Sequence, residues 1–310
     1  MRRGHSGIAL VTAILVVAMA SLAATALLAS ANMAVHRTGS LRDTEQGLWM
    51  ARGVEAWVRG ILKADARESS HDGLDEAWAQ PVDYLPVDQG FVRGQIVDQQ
   101  GLFNLNNLAV TAQPKAQFYE EQLARLLANL PGNVTVPPGL AASIRDWIDQ
   151  DQNPSPPGGA EDAVYLNLEL PYRTGDRLLT AVSELLAIQG VTPELYAALR
   201  GLITALPAET PINVNTAPEA VLRSLPVQDE GALQTFLRER METPDKEVAS
   251  VIARGIFDAT VTPDRIAVTS VYFQMRGEIF VGSSRTALYS LIHRPKAGDV
   301  VVLAHSADAE

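Results

Sequence analysis

Apolar residues fill the chain from Ile8 to Val35, with no formal charge between Arg3 and Arg37. About 20 apolar residues suffice to cross a bilayer as a helix, so this stretch predicts one membrane-spanning segment. The pattern then changes without stopping. Leu41, Leu48, Ala51, Val54, Val58 and Ile61 recur at helical spacing with charges on the opposite face, which extends the helix into water as an amphipathic rod. The competing layout is two helices broken near Gly39. Beyond residue 65 the chain becomes polar and turn-rich. Residues 91–97 alternate as a strand should, and residues 266–276, 278–282 and 286–293 predict three antiparallel strands, with Gly277 and the stretch from Gly282 to Ser284 as turns. Between these blocks the apolar spacing is helical, over residues 118–129, 140–148, 181–188, 193–206, 218–225, 231–240 and 248–256.

Strands at both ends with helices between predict an α+β fold. A long N-terminal helix (8–64) would carry a small antiparallel sheet domain (65–98 and 265–304). An inserted all-helical domain (99–264) would interrupt that sheet, and a short tail (305–310) would follow.

Composition narrows the function. At 47% apolar and 20% charged the chain is globular in character. Its net charge of -11 repels phosphate, and the arginines are scattered singly, so nucleic acid is not an expected partner. Absence of cysteine excludes disulfides, thiolate nucleophiles and thiolate metal sites. His5, His36, His71, His293 and His305 lie far apart, and no nucleophile-elbow, Walker or zinc-type histidine motif is present, so no enzymatic activity is expected.

Arg2 and Arg3 precede the apolar run, which places the N-terminus in the cytoplasm and the rest of the chain across the membrane. A cleaved signal peptide is the alternative, but its apolar core usually spans only about 7–15 residues. The leader Met1-Arg-Arg-Gly-His-Ser-Gly7, followed directly by Ile8, resembles the class III leader of type IV pilins and type II secretion pseudopilins. That resemblance implies cleavage by a prepilin peptidase between Gly7 and Ile8, with Ile8 methylated as the new N-terminus. The family usually carries Glu at the fifth mature position, where this chain has Thr12. A carboxylate at that depth costs about 2.5–3.5 kcal/mol, and in the family it pairs with the terminal amine of a neighbouring subunit. A subunit at the end of a fibre needs no such group, so the missing Glu points to the K type of pseudopilin.

Three further stretches carry chemistry. Asp98-Gln-Gln-Gly-Leu-Phe-Asn-Leu-Asn-Asn-Leu108 combines a glycine suited to a sharp turn with asparagines suited to bonding nearby backbone, and it resembles a K-family motif. Between Asp146 and Tyr165, Asp146, Asp149, Asp151, Asn153, Glu161 and Asp162 cluster in a Pro/Gly-rich segment. Calcium takes six to eight hard oxygen ligands, which such a segment supplies. Asp149-x-Asp151-x-Asn153 copies the opening of an EF-hand loop, but Pro154 replaces the required Gly and the acid falls one position late, so the loop is not an EF-hand. A solvated acidic loop is the plain alternative. Resemblance to the K-family Asp-Trp-x-Asp loop, which binds calcium in relatives, favours a structural calcium held first by Asp149, Asp151 and Glu161 and then by Asp146 and Asp162.

The third stretch, Ile212-Asn-Val-Asn-Thr216-Ala-Pro-Glu219, predicts a capping box between Thr216 and Glu219 and resembles the opening of a helix-hairpin-helix repeat. The following hairpin places Asp229 and Glu230 where a phosphate would lie, so the unit is expected to serve packing.

Taken in order along the chain, leader, helix, asparagine motif, acidic loop and late β block resemble minor pseudopilin K of the type II secretion system. The resemblance implies a bacterial inner-membrane protein with its main domain in the periplasm. It would cap the pseudopilus with minor pseudopilins I and J, initiate assembly and support export across the outer membrane. Secreted substrates and the outer-membrane channel are further candidate contacts. The rival readings are a minor pilin of a type IV pilus and a membrane-anchored DNA receptor.

Overall fold

The computed structural model describes residues 6–132, 134–207, 209–282 and 284–306. Arg2, Arg3 and most of the leader lie outside the described residues. One helix, α1 (Ser6–Glu68), runs for 63 residues and contains Gly7, Ile8 and Gly39, so no break occurs at Gly39. A single helical glycine costs only about 1 kcal/mol relative to alanine. Apolar side chains in the first half, such as Leu22, Leu27 and Val35, are exposed along the whole run, as a bilayer-facing helix requires. In the second half one face turns inward. Ala51, Val58 and Leu62 are buried against a sheet, beside Trp78, Ile96, Phe273, Met275 and Ile292.

That sheet holds five antiparallel strands, β1 (Val82–Val87), β2 (Gly90–Asp98), β7 (Tyr272–Val281), β8 (Ser284–His293) and β9 (Val301–Ser306), in the order β1-β2-β7-β8-β9. β2 and β7 are far apart in sequence yet lie side by side, paired from Gly90↔Val281 to Asp98↔Phe273. Everything between them is therefore an excursion from the sheet. From Phe273 onward β7 alternates strictly, with Phe273, Met275, Gly277, Ile279 and Val281 buried; Tyr272 before them is buried as well.

Several expected boundaries move. Gly277 is not a turn but sits mid-strand opposite Leu288. Residues 266–276 do not form one strand: β6 (Ile266–Ala267) pairs instead with β5 (Ile212–Asn213) in a two-residue parallel ladder, and the chain bends at Val268 and Val271 before β7 begins. β1 and β9 are strands where the sequence pattern predicted none. His305 and Ser306 pair with Ser290 and Tyr289, so β9 takes the first residues assigned to the tail.

The excursion is built from short elements around one apolar core. β3 (Phe103–Asn104) pairs in parallel with β4 (Ile203–Thr204). The helices are α2 (Lys115–Ala128), α3 (Leu140–Ile148), α4 (Asp162–Tyr165), α5 (Pro193–Leu199), α6 (Glu219–Ser224), α7 (Glu230–Glu239) and α8 (Val248–Ala253). Residues 182–187 form a 3-10 turn where an α-helix was expected. Phe103, Leu105, Tyr119, Leu123, Leu126, Ile144, Tyr165, Leu195, Leu222 and Phe236 fill the interior. Burying side chains of this size contributes about 1.5–3 kcal/mol each.

Asparagines take the place that longer secondary structure would fill. Asn106 bonds the Leu179 amide and the Leu179 and Leu206 carbonyls, and Asn107 bonds both backbone groups of Thr210. These are distant segments, while Asn104 makes the local turn expected of the motif, its side chain accepting from Asn106 N at 3.1 Å. The predicted capping box fails. α6 starts at Glu219, which pairs with Arg223, while the Thr216 hydroxyl donates to Asp98 at 2.6 Å.

Asp98 lies at the joint between sheet and excursion. Its carboxylate accepts from Gln100 N, Asn213 Nδ2, Thr216 Oγ1 and Ser270 Oγ. Next to it, Arg294 bonds Asp65 of α1 at 2.7 Å, Asp72 at 2.6 Å and the Ser270 carbonyl at 2.8 Å, with its guanidinium over the Phe273 ring. Helix, sheet and excursion thus meet in one buried polar network.

Candidate metal centre

Helical spacing brings the first two acids together. Asp146 and Asp149 lie three residues apart at the end of α3 and share a face. Trp147 on the neighbouring face packs edge-on against Tyr165, which fixes α4 and the residue before it, Glu161. The intervening loop folds back tightly. Ser155 donates its amide to both Asp146 oxygens at 3.1 Å, and Gly139 and Gly158, both with φ in the left-handed region, let the two backbones touch.

Asp146, Asp149 and Glu161 each offer an oxygen within 4.8 Å of the others. Two oxygens on opposite sides of a calcium ion, at about 2.4 Å each, stand about 4.8 Å apart, so the three fit around one such ion. Asp146 and Glu161 are fully buried, yet neither Glu161 oxygen has a hydrogen-bond partner, nor does Asp149 Oδ1. A buried carboxylate normally finds donors. Here burial, then the charges of Asp146, Asp149, Asp151 and Asp176, push Glu161 up to about 7. Asp149 is raised as well, by burial and then by Asp151 and Asp146. Only a proton or a cation relieves such a cluster, and a donor set made entirely of carboxylate oxygens suits a hard divalent ion.

The remaining sequence candidates stand differently. Asp151 is exposed and accepts from Asn153 N and Nδ2 at 2.8 Å, close enough to raise its neighbours by charge. Asp162 accepts from both the amide and hydroxyl of Thr174 at 3.0 Å, tying the start of α4 to the segment after it. The structure therefore gathers Asp146, Asp149 and Glu161 and turns Asp162 to a different task. Sequence reasoning missed Asp176, which takes a hydrogen bond from Thr174 Oγ1 at 2.7 Å and adds its charge to Glu161. Its backbone has φ +46°, and the preceding Gly175 was the one sequence signal of a turn there.

The second gathering of three acids, Asp65, Asp72 and Glu76, is different in kind. Arg294 and the Trp78 and Gly73 N–H groups occupy its carboxylates.

The family model described as type II secretion system (T2SS), protein K matches residues 101–208, a span that contains the whole carboxylate cluster. The type II secretion system protein K of Pseudomonas aeruginosa is 34% identical over 98% of this chain and 93% of its own length. The chain belongs to this family. Its counterpart in Pectobacterium carotovorum is 32% identical, with 94% of each chain covered. The fold agrees with a solved structure: the crystal structure of the GspK-GspI-GspJ complex from the enterotoxigenic Escherichia coli type 2 secretion system contains a chain that matches with a TM-score of 0.72. That match is at 26% identity, over 88% of this chain and 100% of the other. The family assignment settles the class of machine to which the chain belongs, and α1 is compatible with a single-pass membrane anchor for it.

One consequence for the centre is testable. A Cβ on Gly159 would overlap Asp146 Oδ2 and approach the Ser155 backbone at 2.6 Å. Gly159→Ala should therefore push the loop off Asp146 and weaken calcium binding at least tenfold while leaving the sheet intact. Calorimetric titration checks the first part and circular dichroism the second.

Proposed function

We propose that this protein is the minor pseudopilin K at the tip of a type II secretion pseudopilus. In this reading it is a non-enzymatic assembly subunit of the bacterial inner membrane with its folded part in the periplasm. Prepilin peptidase cuts it between Gly7 and Ile8, and Ile8 is then methylated. It joins minor pseudopilins I and J, starts the fibre and supports export across the outer membrane, with the secreted proteins or the outer-membrane channel as further contacts. A calcium ion on Asp146, Asp149 and Glu161 is structural.

Likeness to the GspK chain of a three-protein complex, over that chain's full length, is the observation that carries this reading. α1 adds support. Thr12 hydrogen-bonds back to Ile8 and Ala9 carbonyls, so the position where the family usually has a carboxylate is satisfied within its own helix and asks nothing of a neighbour. The sheet and α1 are also narrow beside the excursion, whose bulk suits an end position better than a place within a fibre.

Co-expression of the full chain with minor pseudopilins I and J from the same source, followed by detergent extraction and size exclusion, tests the proposal. A stable ternary complex is expected. Elution of the three as separate species, with calcium present, sinks it.

The helix-hairpin-helix alternative loses its chemistry in this fold. Asn213 bonds Asp98 and Ser270, and Asn215 bonds both backbone groups of Asp245, so the Asn-Val-Asn stretch is spent on internal contacts.

A further inference from the structure

A cleft of about 310 Å³ opens on the face of the sheet turned away from α1, where the excursion leans over β7, β8 and the edge strand β9. In a chain with 36 acidic residues, no acidic residue lines it among the described residues. Its polar lining includes Gln99, Ser183, Arg200 and His305, together with Thr180 and Arg276, which already donate to Glu184 and Gln274. Arg200 and Arg276 also border an adjoining cavity of about 320 Å³, so both guanidiniums stand at the wall between the two. Arg200 is exposed and has no ion-pair partner among the described residues, unlike Arg223, Arg254 and Arg294. Deeper in, Gln99 is buried. Its carbonyl accepts from Thr204, but its Nε2 has no acceptor. A buried donor without a partner carries an unrecovered desolvation cost, and an anionic oxygen would relieve it.

Access comes from the edge. All six residues of β9 are exposed or half-exposed, and among the described residues no strand pairs with its outer side. Both edge pairings contain a register shift, but the opposite edge, β1, also carries Pro86 and Asp83, whereas β9 carries neither proline nor formal charge. We infer that this cleft is a binding site for an acidic, extended peptide segment of another protein, which enters over β9 and sets a carboxylate against Arg200 and the orphaned Gln99 amide. Charge complementarity selects the ligand. A carboxylate on a flexible backbone can reach in between the two walls to Arg200 and the Gln99 amide.

The inference does not depend on the tip assignment, and its test uses the full chain in detergent micelles. Fluorescence anisotropy would follow a fluorescein-labelled peptide of alternating alanine and glutamate, with glutamine in place of glutamate as the control. The glutamate peptide should bind, lose affinity as salt rises and lose about fivefold on Arg200→Gln, the loss of one partly exposed ion pair. Thermal unfolding of Arg200→Gln should match the native chain, since Arg200 makes no ion pair in the fold. A second chain carrying Asp308→Asn and Glu310→Gln removes acids that follow β9 in sequence and lie outside the described residues. Tighter binding by that chain also supports the site, with the chain's own acids as competitors. Equal binding of the glutamate and glutamine peptides overturns the inference. So does indifference to Arg200→Gln, or no binding by either the native or the doubly substituted chain.

Discussion

Calcium added to the metal-free protein should raise the unfolding midpoint of the helical excursion by roughly 5–10 °C, and a chelator should return it. The size follows from mass action: at a free concentration about 100 times Kd, a ligand of the native state adds about 2.7 kcal/mol. For a domain of this size each kcal/mol moves the midpoint by about 2–4 °C. What distinguishes a metal centre from a merely acidic loop is the behaviour of Glu161→Gln. Metal-free Glu161→Gln should be more stable than the metal-free native chain near neutral pH, because it removes one of three mutually repelling carboxylates, and the one with no donor of its own. With calcium present the order should invert, since the variant loses a ligand. Differential scanning calorimetry with and without chelator reads both signs. A native chain whose midpoint ignores calcium removes the proposed ion, and a metal-free Glu161→Gln that is less stable than native shows Glu161 to be an ordinary buried acid.

How far these features were legible beforehand depends on the range of the interactions that set them. The 63-residue helix, the β2 strand and α3 follow from local periodicity, so their positions could be read directly. The carboxylate cluster was legible as a set of residue types, because Asp146 and Asp149 sit at helical spacing and Glu161 follows a short loop. Its membership was not, because a hydrogen bond to Thr174 draws Asp162 away and a left-handed turn carries Asp176 in. Gly277 misled because glycine usually marks a turn, yet here it lies opposite Leu288 in the middle of a long hairpin. Partners well outside the local window decide such cases. Likewise nothing local says that Asn213, Thr216 and Ser270 converge on Asp98, since Asp98 is more than 100 residues from each of them.

That convergence underlies the second large effect. Arg294→Met should cost about 3–5 kcal/mol at pH 8 and much less at pH 5. Removing the guanidinium leaves Asp65 and Asp72 without their cation at a site where Arg294 and Asp72 are almost fully buried, and breaking a buried pair on one side has that magnitude. Methionine keeps the packing over Phe273, so the loss is chiefly electrostatic. The pH dependence follows in sign from the native chain. Burial, then the nearby Glu76 and Asp72 charges, push Asp65 up to about 6, and burial, helped by the Asp72 charge, raises Asp98 to about 6 against the pull of its hydrogen bonds. A carboxyl whose folded pKa lies above its unfolded value near 4 binds its proton more tightly when folded. Stability from these groups is therefore greatest below about pH 4 and declines as pH rises through about 6. Without Arg294, Asp65 and Asp72 rise further, so the decline in the variant continues above pH 6 where the native curve has levelled. The gap between native and variant midpoints must then widen from pH 5 to pH 8. Because the network joins α1, sheet and excursion, the variant should also loosen the excursion from the rod, seen as faster amide exchange at Asn213 and Ser270. An equal loss of stability at both pH values would show that Arg294 acts through packing alone.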